Sequence, residues 1–566
     1  MYCVVFRQVE NLVVSVNYFF IKISYKCGQS TGDTGMSNIE ITDYEIGQDN
    51  VQIFGLDIHN PVFLISGLTI VGFVLITLMF QQGASEFFGW LRPAVTSTFD
   101  WFFLSSGNIF VLFALLLVVT PLGKVRLGGQ DAKPDYSYVG WFAMLFAAGM
   151  GIGLMYFGVS EPMSHYASSM GGIAVGEDGI RTDWAPLSAA EGNIEGAREL
   201  AMAATIFHWG LHPWAIYAVV ALALAFFSFN KGLPLTFRSA FYPLLGERIW
   251  GWPGHVIDVL AVFATLFGLA TSLGFGTTQA LAGFSFLYGW GTGPVAVVIL
   301  ISAITLIALV SVLRGLDGGV KVLSEINMGL ALLLLLFILV VGPTGEIFST
   351  AAVGAVGYIK NLLPLSMPFG REDGNFAQGW TSFYWAWWIS WSPFVGMFIA
   401  RVSRGRTVRE FVVCVILIPT ALSILWMSTF GGTAITQVIA DASAPVAAAA
   451  QELKLFEMVK DFPMTGLLST VGIILVLVFF VTSSDSGSLV IDTITAGGKV
   501  DAPVAQRVFW CTFEGLVAIT LLLVGGSEAL SALQAMTVST GLPFTIILLL
   551  MCYSTWKAIS AESKNL

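Results

Sequence analysis

Two tryptophan-rich stretches hold the side chains best suited to chemistry in this sequence. One reads FHWGLHPWAIYAV and carries Trp209, Trp214 and Tyr217; the other reads YWAWWISWSPFVG and carries Trp385, Trp387, Trp388 and Trp391. An indole face attracts a dehydrated cation by roughly 2 kcal/mol per ring, without help from a buried carboxylate. A dry cage of such rings suits a permanently charged, methylated cation that has no hydrogen bond to donate. Interfacial belts explain many membrane tryptophans. Here Trp387, Trp388 and Trp391 sit beside Pro393 in the middle of an apolar run, and on a helix Trp387 and Trp391 share one face.

A second stretch, AAGMGIGLMYFGVSEP at 147–162, places Gly149, Gly151, Gly153 and Gly158 within another apolar run. Each glycine weakens a helix by roughly 1 kcal/mol relative to alanine, so three within five residues invite unwinding. Unwound backbone in hydrocarbon is tolerated only where protein encloses it and its polar groups bind something. Exposed N–H groups suit a carboxylate and exposed carbonyls an alkali cation. Helix-packing glycines recur at a period of about four, whereas these begin at a period of two, which favours binding over packing.

The elements that position these residues follow from composition. Of 566 residues, 56% are hydrophobic and only 11% charged, with a mean hydropathy of +0.80. That describes an all-α polytopic membrane protein. The net charge of −10 and the lack of a Lys/Arg-rich tract argue against a nucleic-acid partner. About twelve spans are expected, centred near residues 70, 110, 149, 216, 270, 302, 335, 391, 423, 478, 516 and 545. Two weaker runs, LPLTFRSAFYPLLG and IFSTAAVGAVGYIKNLLPL, read as interfacial. With both termini cytoplasmic, the inside loops carry about twice as many Lys and Arg as the outside loops. The glycine-rich third span and the Pro393-interrupted eighth are five spans apart, which predicts two inverted five-span repeats (spans 3–7 and 8–12) after two leading spans. The expected division is an N-terminal cytoplasmic segment 1–58, with Met36 the expected true start, a transporter domain 59–558 and a short cytoplasmic C-terminus 559–566.

Other signals are weaker. None of the five cysteines is expected in a disulfide. His208 and His212 have metal-ligand spacing but no acid or thiol beside them in sequence, so no metal other than sodium is expected. Asp485 stands near the end of the tenth span, where it would cap the helix or anchor neighbouring hydroxyls. SSDSG lacks the strand–turn–helix setting of a nucleophile elbow, and no phosphate loop occurs, so neither enzyme nor ATP-driven pump is expected. The strip RVSRGRTVREF reads as a solvated loop able to contact anionic lipid or a neighbouring subunit. The short tail STWKAISAESKNL predicts little osmotic activation.

The stretches GMGIGLMYFGVSEP, FHWGLHPWAIYA, FYPLLGERIWG, WAWWISWSPFVGMFIARVSRGRTVREF and FFVTSSDSGS closely resemble the betaine/choline/carnitine transporter family, over about residues 55–555. The resemblance implies a leucine-transporter-like fold, a homotrimer in the bacterial inner membrane, and alternating-access transport of quaternary ammonium or related osmolytes. It also implies a central box of Trp209, Trp214, Tyr217 and Trp388, companion contacts from Trp387 and Trp391, and Met150, Gly151 and Gly153 at the substrate. A sodium site is implied at Ala147, Met150, Phe479, Thr482 and Ser483. A second draws on paired hydroxyls in the fifth span and on Phe394, but this chain has Thr265 and then Leu269. No Lys or Arg stands in HVIDVLAVFATLFGLATSLGFG to replace sodium, so sodium coupling is expected, with no other cofactor. Choline carriers of the family often place Asp at the third glycine. Gly153 therefore favours a zwitterion, glycine betaine or dimethylsulfoniopropionate, with choline or carnitine, proton coupling or exchange as the alternative and a channel less favoured.

Overall fold

Backbone polar groups in a bilayer must be satisfied within the chain, which favours helices. Helices dominate the computed structural model, which describes residues 42–149, 151–314, 320–526 and 529–564. A short antiparallel hairpin, β1 (Asn50–Ile53) with β2 (Leu56–His59), precedes them. The first helices are α1 (Val62–Met79), α2 (Gln81–Val119), α3 (Tyr138–Gly149), α4 (Ile152–Gly171), α5 (Ile194–Trp209) and α6 (Leu211–Phe229). There follow α7 (Trp252–Tyr288), α8 (Pro294–Arg314), α9 (Val320–Val341), α10 (Thr344–Ser366) and α11 (Ser382–Val402). The chain ends with α12 (Val408–Ala440), α13 (Thr465–Thr495), α14 (Val504–Gly525) and α15 (Ala529–Ser563).

Among the described residues, ten segments are long and apolar enough to cross a membrane, α5 with α6 counting as one, and α3 with α4 form an eleventh bent by 66°. The twelfth expected position, eighth in order, belongs to α11, which is not among these. Its indoles and hydroxyls lower its hydropathy, and most of its residues, from Ser382 to Val402, are buried against other helices rather than turned outward. Lipid does not set the composition of such a helix.

Pro393 does not interrupt α11, contrary to the sequence expectation. A proline removes the hydrogen bond to the carbonyl four residues back, here that of Ile389. The Ser392 hydroxyl donates to that carbonyl at 2.7 Å and keeps it satisfied. The irregular backbone lies earlier, in a π turn over Ala377–Thr381. The fourth span instead breaks at Gly210, where a Cβ would stand 2.6 Å from the Ile206 carbonyl oxygen. The third breaks as expected, with Gly151 extended between α3 and α4.

Of the two weaker runs, the second forms α10, packed on α5 and α12. Gly354 and Gly357 let it lie against Met202 and Glu199, while Phe348, Ile359 and Leu363 face outward. The first run winds into short turns over Arg238–Phe241 and Tyr242–Leu245. There the buried Arg238 guanidinium donates to Asp258 of α7 at 2.5 Å.

The 401–411 strip is anchored rather than simply solvated. Arg406 is buried, donates to Glu410 and to the Tyr136 carbonyl, both at 2.7 Å, and covers the rings of Tyr138 and Trp141. Leu127 N–H donates to the Arg406 carbonyl at 2.9 Å, and Gly405 N–H to that of Leu127 at 2.8 Å. The segment before α3 and the turn before α12 are thereby bound to each other. Cys414, Cys511 and Cys552 are free thiols.

Candidate functional site

A cavity of about 230 Å³ opens at the break between α3 and α4. The broken span contributes Ala147, Gly151 and Gly153; α5 and α6 contribute Trp209, Trp214 and Tyr217; α11 contributes Trp387, Trp388, Trp391 and Phe394; α13 contributes Phe479, Thr482 and Ser483. Met150 lies outside the described residues. Of the residues expected at the site, Thr265 is the one described that does not line the cavity. Its hydroxyl donates to the Ala261 carbonyl at 2.7 Å within its own helix. Leu269, where the second sodium site would need a hydroxyl, packs over Gly487 of α13. Apolar packing between α7 and α13 occupies that position.

The rings form a chain of edge-to-face contacts. Trp209 and Trp388 have centroids 4.9 Å apart at 75°, Tyr217 and Trp388 6.1 Å apart at 78°, and Trp214 and Tyr217 5.3 Å apart at 77°. Trp387 stacks on Trp388 at 4.9 Å and 13°. Trp391 is only half-buried and meets Phe394 at 5.2 Å, further along the wall. The glycines prove to serve both packing and unwinding. A Cβ on Gly149 would lie 3.1 Å from the Trp214 ring, one on Gly153 2.8 Å from Trp209 and 3.1 Å from Trp387, and one on Gly158 2.8 Å from Trp426. Gly151 has open space around it. The indoles therefore occupy volume that any larger residue would take.

A buried carboxylate that the sequence reading did not use holds this box from behind. Glu161 of α4 is fully buried. Its Oε2 accepts from the Trp209 indole N–H at 2.6 Å and the Tyr384 hydroxyl at 2.5 Å. Its Oε1 lies 2.6 Å from His208 Nδ1 and 3.3 Å from His165 Nε2. His208 Nε2 continues to the Thr381 hydroxyl at 2.9 Å in the π turn, and the His208 carbonyl accepts from the Trp388 indole at 2.9 Å. One network thus joins α4, α5 and α11 behind the rings.

The expectation that no acid stands near His208 is corrected by Glu161, which arrives from another helix. Glu161, His165 and His208 form a cluster with metal-ligand chemistry; both carboxylate oxygens, both ring nitrogens of His208 and His165 Nε2 are taken up by the hydrogen bonds just described, while His165 Nδ1 has no partner among the described residues. His212 takes no part. The break at Gly210 separates it from His208; it stacks on Trp385 at 5.3 Å and meets Asn108 at 3.0 Å. The available sequence signal for Glu161 was an ionisable residue inside an apolar run.

At the other wall the Thr482 hydroxyl donates to the carbonyls of Val478 at 2.9 Å and Phe479 at 3.3 Å. The expected sodium donors on α13 are therefore neighbours, all hard oxygens. Among the described residues lining the cavity Arg401 is the one charged side chain. Such a wall offers π faces to a cation and no carboxylate to neutralise it, so it favours a ligand that brings its own anion.

Residues 61–564 match the family model described as betaine/carnitine/choline family transporter. The chain is 62% identical over 534 residues to a glycine betaine/proline/choline transporter of Vibrio parahaemolyticus, covering 94% of this chain and 96% of that one. It is 54% identical to a second protein of that organism, glycine betaine transporter 1, over 93% of this chain and 98% of the other. It is 41% identical to a glycine betaine transporter of Acinetobacter baylyi, over 90% and 74%. A solved Na+-coupled sialic acid symporter aligns with a TM-score of 0.45 at 15% identity, over 82% of this chain and 86% of that one. Membrane helices, a ring-lined cavity at a broken span and relatives matched nearly end to end lead to one conclusion: this chain belongs to the betaine/carnitine/choline family of transporters and is not an enzyme.

Proposed function

We propose that the protein imports a zwitterionic osmolyte, glycine betaine or its sulfonium analogue dimethylsulfoniopropionate, by alternating access in symport with sodium. One observation carries this reading: Trp209, Trp214, Tyr217 and Trp388 share a cavity whose described lining holds no acidic side chain. A methylated onium gains cation–π attraction there, and its own carboxylate can meet the open backbone at Gly151. The relatives' names, glycine betaine above all, support the substrate class. Choline also appears in the name of one of them and is the second reading. The family resemblance supports a homotrimer in the bacterial inner membrane, and the Lys/Arg bias supports cytoplasmic termini.

Uptake of labelled glycine betaine by a transport-deficient bacterium, with and without sodium and against unlabelled sulfonium analogue, tests the proposal. Saturable uptake that collapses without sodium is the expected result; uptake indifferent to sodium removes the coupling. Thr482→Ala should raise the sodium concentration for half-maximal uptake roughly tenfold or more, because a contact to a charged group contributes about 1.5–3 kcal/mol.

Gly153→Asp tests the substrate choice. A carboxylate there would neutralise choline, but its Cβ would press on Trp209 and Trp387. Betaine uptake should therefore fall while the choline-to-betaine ratio rises. An unchanged ratio in a competition assay speaks against the zwitterion reading.

A further inference from the structure

The β1–β2 hairpin bridges two helices that reach the cavity, α7 through Ser272 and α13 through Thr482, Ser483 and Ser486. On one side it holds the segment that ends α13 and leads to α14. The Asn50 amide donates to the Ala496 carbonyl at 2.9 Å, Asp57 N–H to Gln506 Oε1 at 3.3 Å, and Lys499 Nζ to Asp57 Oδ2 at 2.6 Å. On the other side the ring of His59, the last residue of β2, meets that of His255, in the first turn of α7, at 5.3 Å.

His59 is completely buried, and neither ring nitrogen has a partner among the described residues. Gly497, at φ 67°, lets the loop after α13 lie on the ring; a Cβ there would stand 3.1 Å from His59 Nδ1. Arg238 packs beside His255, its Cβ against the Gly254 backbone and its Nε on Asp258, one turn along α7, at 2.5 Å. Its Nη1 and Nη2 are buried without a partner among the described residues. The acids nearby are engaged with other cations: Asp258 with Arg238, Asp57 with Lys499, and Asp492 with Arg507 at 3.7 Å. Asp49 is exposed and acts on Tyr44 and His255, while β1 and α1 bring no charged side chain. Burial, then the charges of Arg238 and His255, hold the His59 imidazole down to about 3, against an ordinary 6.5.

A proton on His59 would place an unanswered charge in the interior beside a guanidinium, which costs more than leaving that position. We propose that His59 is an acid-sensitive release for the hairpin: neutral, it packs between α7 and the loop after α13; once it takes a proton it leaves, and the two helices are no longer tied together. The docked form takes its proton at a lower pH than the free hairpin does, so a falling pH favours release. Docking is therefore constant above about pH 6.5 and weakens roughly tenfold for each unit below that, down to about 3.

Hydrogen exchange of the full-length protein in lipid nanodiscs reads docking directly, as protection factors from which the intrinsic pH dependence drops out. Protection of the hairpin and of residues 496–499 should be about tenfold lower at about pH 5.5 than at about pH 7.5. His59→Phe keeps a buried ring and forfeits no hydrogen bond, so its protection should be equal at the two pH values. His59→Lys, charged throughout, should be poorly protected at both. Should His59→Phe fail to accumulate, His59→Gln, equally uncharged, takes its place. Equal protection of the wild type at both pH values overturns the release, and a tenfold loss that persists in the uncharged variant overturns the role of His59. The consequence for transport rests on the alternating-access reading above: the hairpin holds the end of the helix that carries Thr482 and Ser483, so acid on the side of the termini should slow betaine uptake severalfold more in wild type than in His59→Phe. Equal slowing overturns that consequence. A protein that moves no betaine refutes the transport reading, and exchange then decides the release by itself.

Discussion

Trp388→Ala is expected to reduce glycine betaine uptake at least about a hundredfold while the protein still reaches the membrane. The indole faces Trp209 at 4.9 Å, stacks on Trp387 at 4.9 Å and approaches Tyr217 at 6.1 Å. Its N–H fastens α11 to the His208 carbonyl of α5. Truncation removes one π face, at roughly 2 kcal/mol when dry. It also frees Trp387 and Trp209 to lean into the vacated space, so the remaining faces no longer converge. Losing a buried Trp lowers stability by about 3–5 kcal/mol where the site cannot collapse, but Trp388 borders a cavity, so the penalty should fall at the lower end. Trp388→Phe keeps a face and loses the hydrogen bond, and it should sit in between. Trp391→Ala, at a half-buried ring whose neighbour is Phe394, should be milder than either. Initial uptake rates, corrected for membrane abundance, measure the series. A Trp388→Ala protein with wild-type KM would show that this ring does not touch the substrate.

The expected site residues that the structure brings to one cavity share a property: their signal is local. Trp209, Trp214, Tyr217, Trp387 and Trp388 were visible because indoles crowd into two short stretches, and all reach one cavity. The unwinding at Gly151 was visible because glycines cluster in one run. Features that depend on a partner from elsewhere were not visible. Pro393 looked like a break because proline usually makes one, and only the turn geometry shows Ser392 restoring the Ile389 carbonyl. The break at Gly210 rests on one glycine with no cluster to announce it. Leu269 looked like a lost sodium ligand, and its reason lies on α13, at Gly487. Asp485 looked like a helix end because the apolar run stops near it, yet α13 continues to Thr495 through residues buried by α7, α8 and α14.

Glu161 is the extreme case of that limit and the source of the second large effect. Its partners His208, Trp209 and Tyr384 stand 47, 48 and 223 residues away, so no spacing in the sequence could reveal them. Glu161→Ala would leave an indole N–H, a hydroxyl and an imidazole buried without an acceptor, at about 1–3 kcal/mol each. This variant should be recovered in low yield, with a thermal midpoint lowered by several degrees, since about 1 kcal/mol shifts a large domain by roughly 2–4 °C. Glu161→Gln keeps the volume and is the sharper test. An amide offers one acceptor oxygen, so its NH2 must point either at the Trp209 and Tyr384 donors or at the two histidines. Turned with its NH2 to the histidines, whose rings can accept in the other tautomer, it keeps the bonds to Trp209 and Tyr384 but weakens them from charge-assisted to neutral; turned the other way, it loses them. Either way Trp209 is held less firmly at its angle to Trp388, and KM for betaine should rise about tenfold or more, the equivalent of roughly 1.4 kcal/mol. The turnover rate should change less, because Glu161 lies behind the rings and does not line the cavity. Tyr384→Phe, which removes a single donor, should show the same pattern at smaller size. If Glu161→Gln kept the wild-type KM and lost only stability, the network would support the fold without setting the geometry of the box.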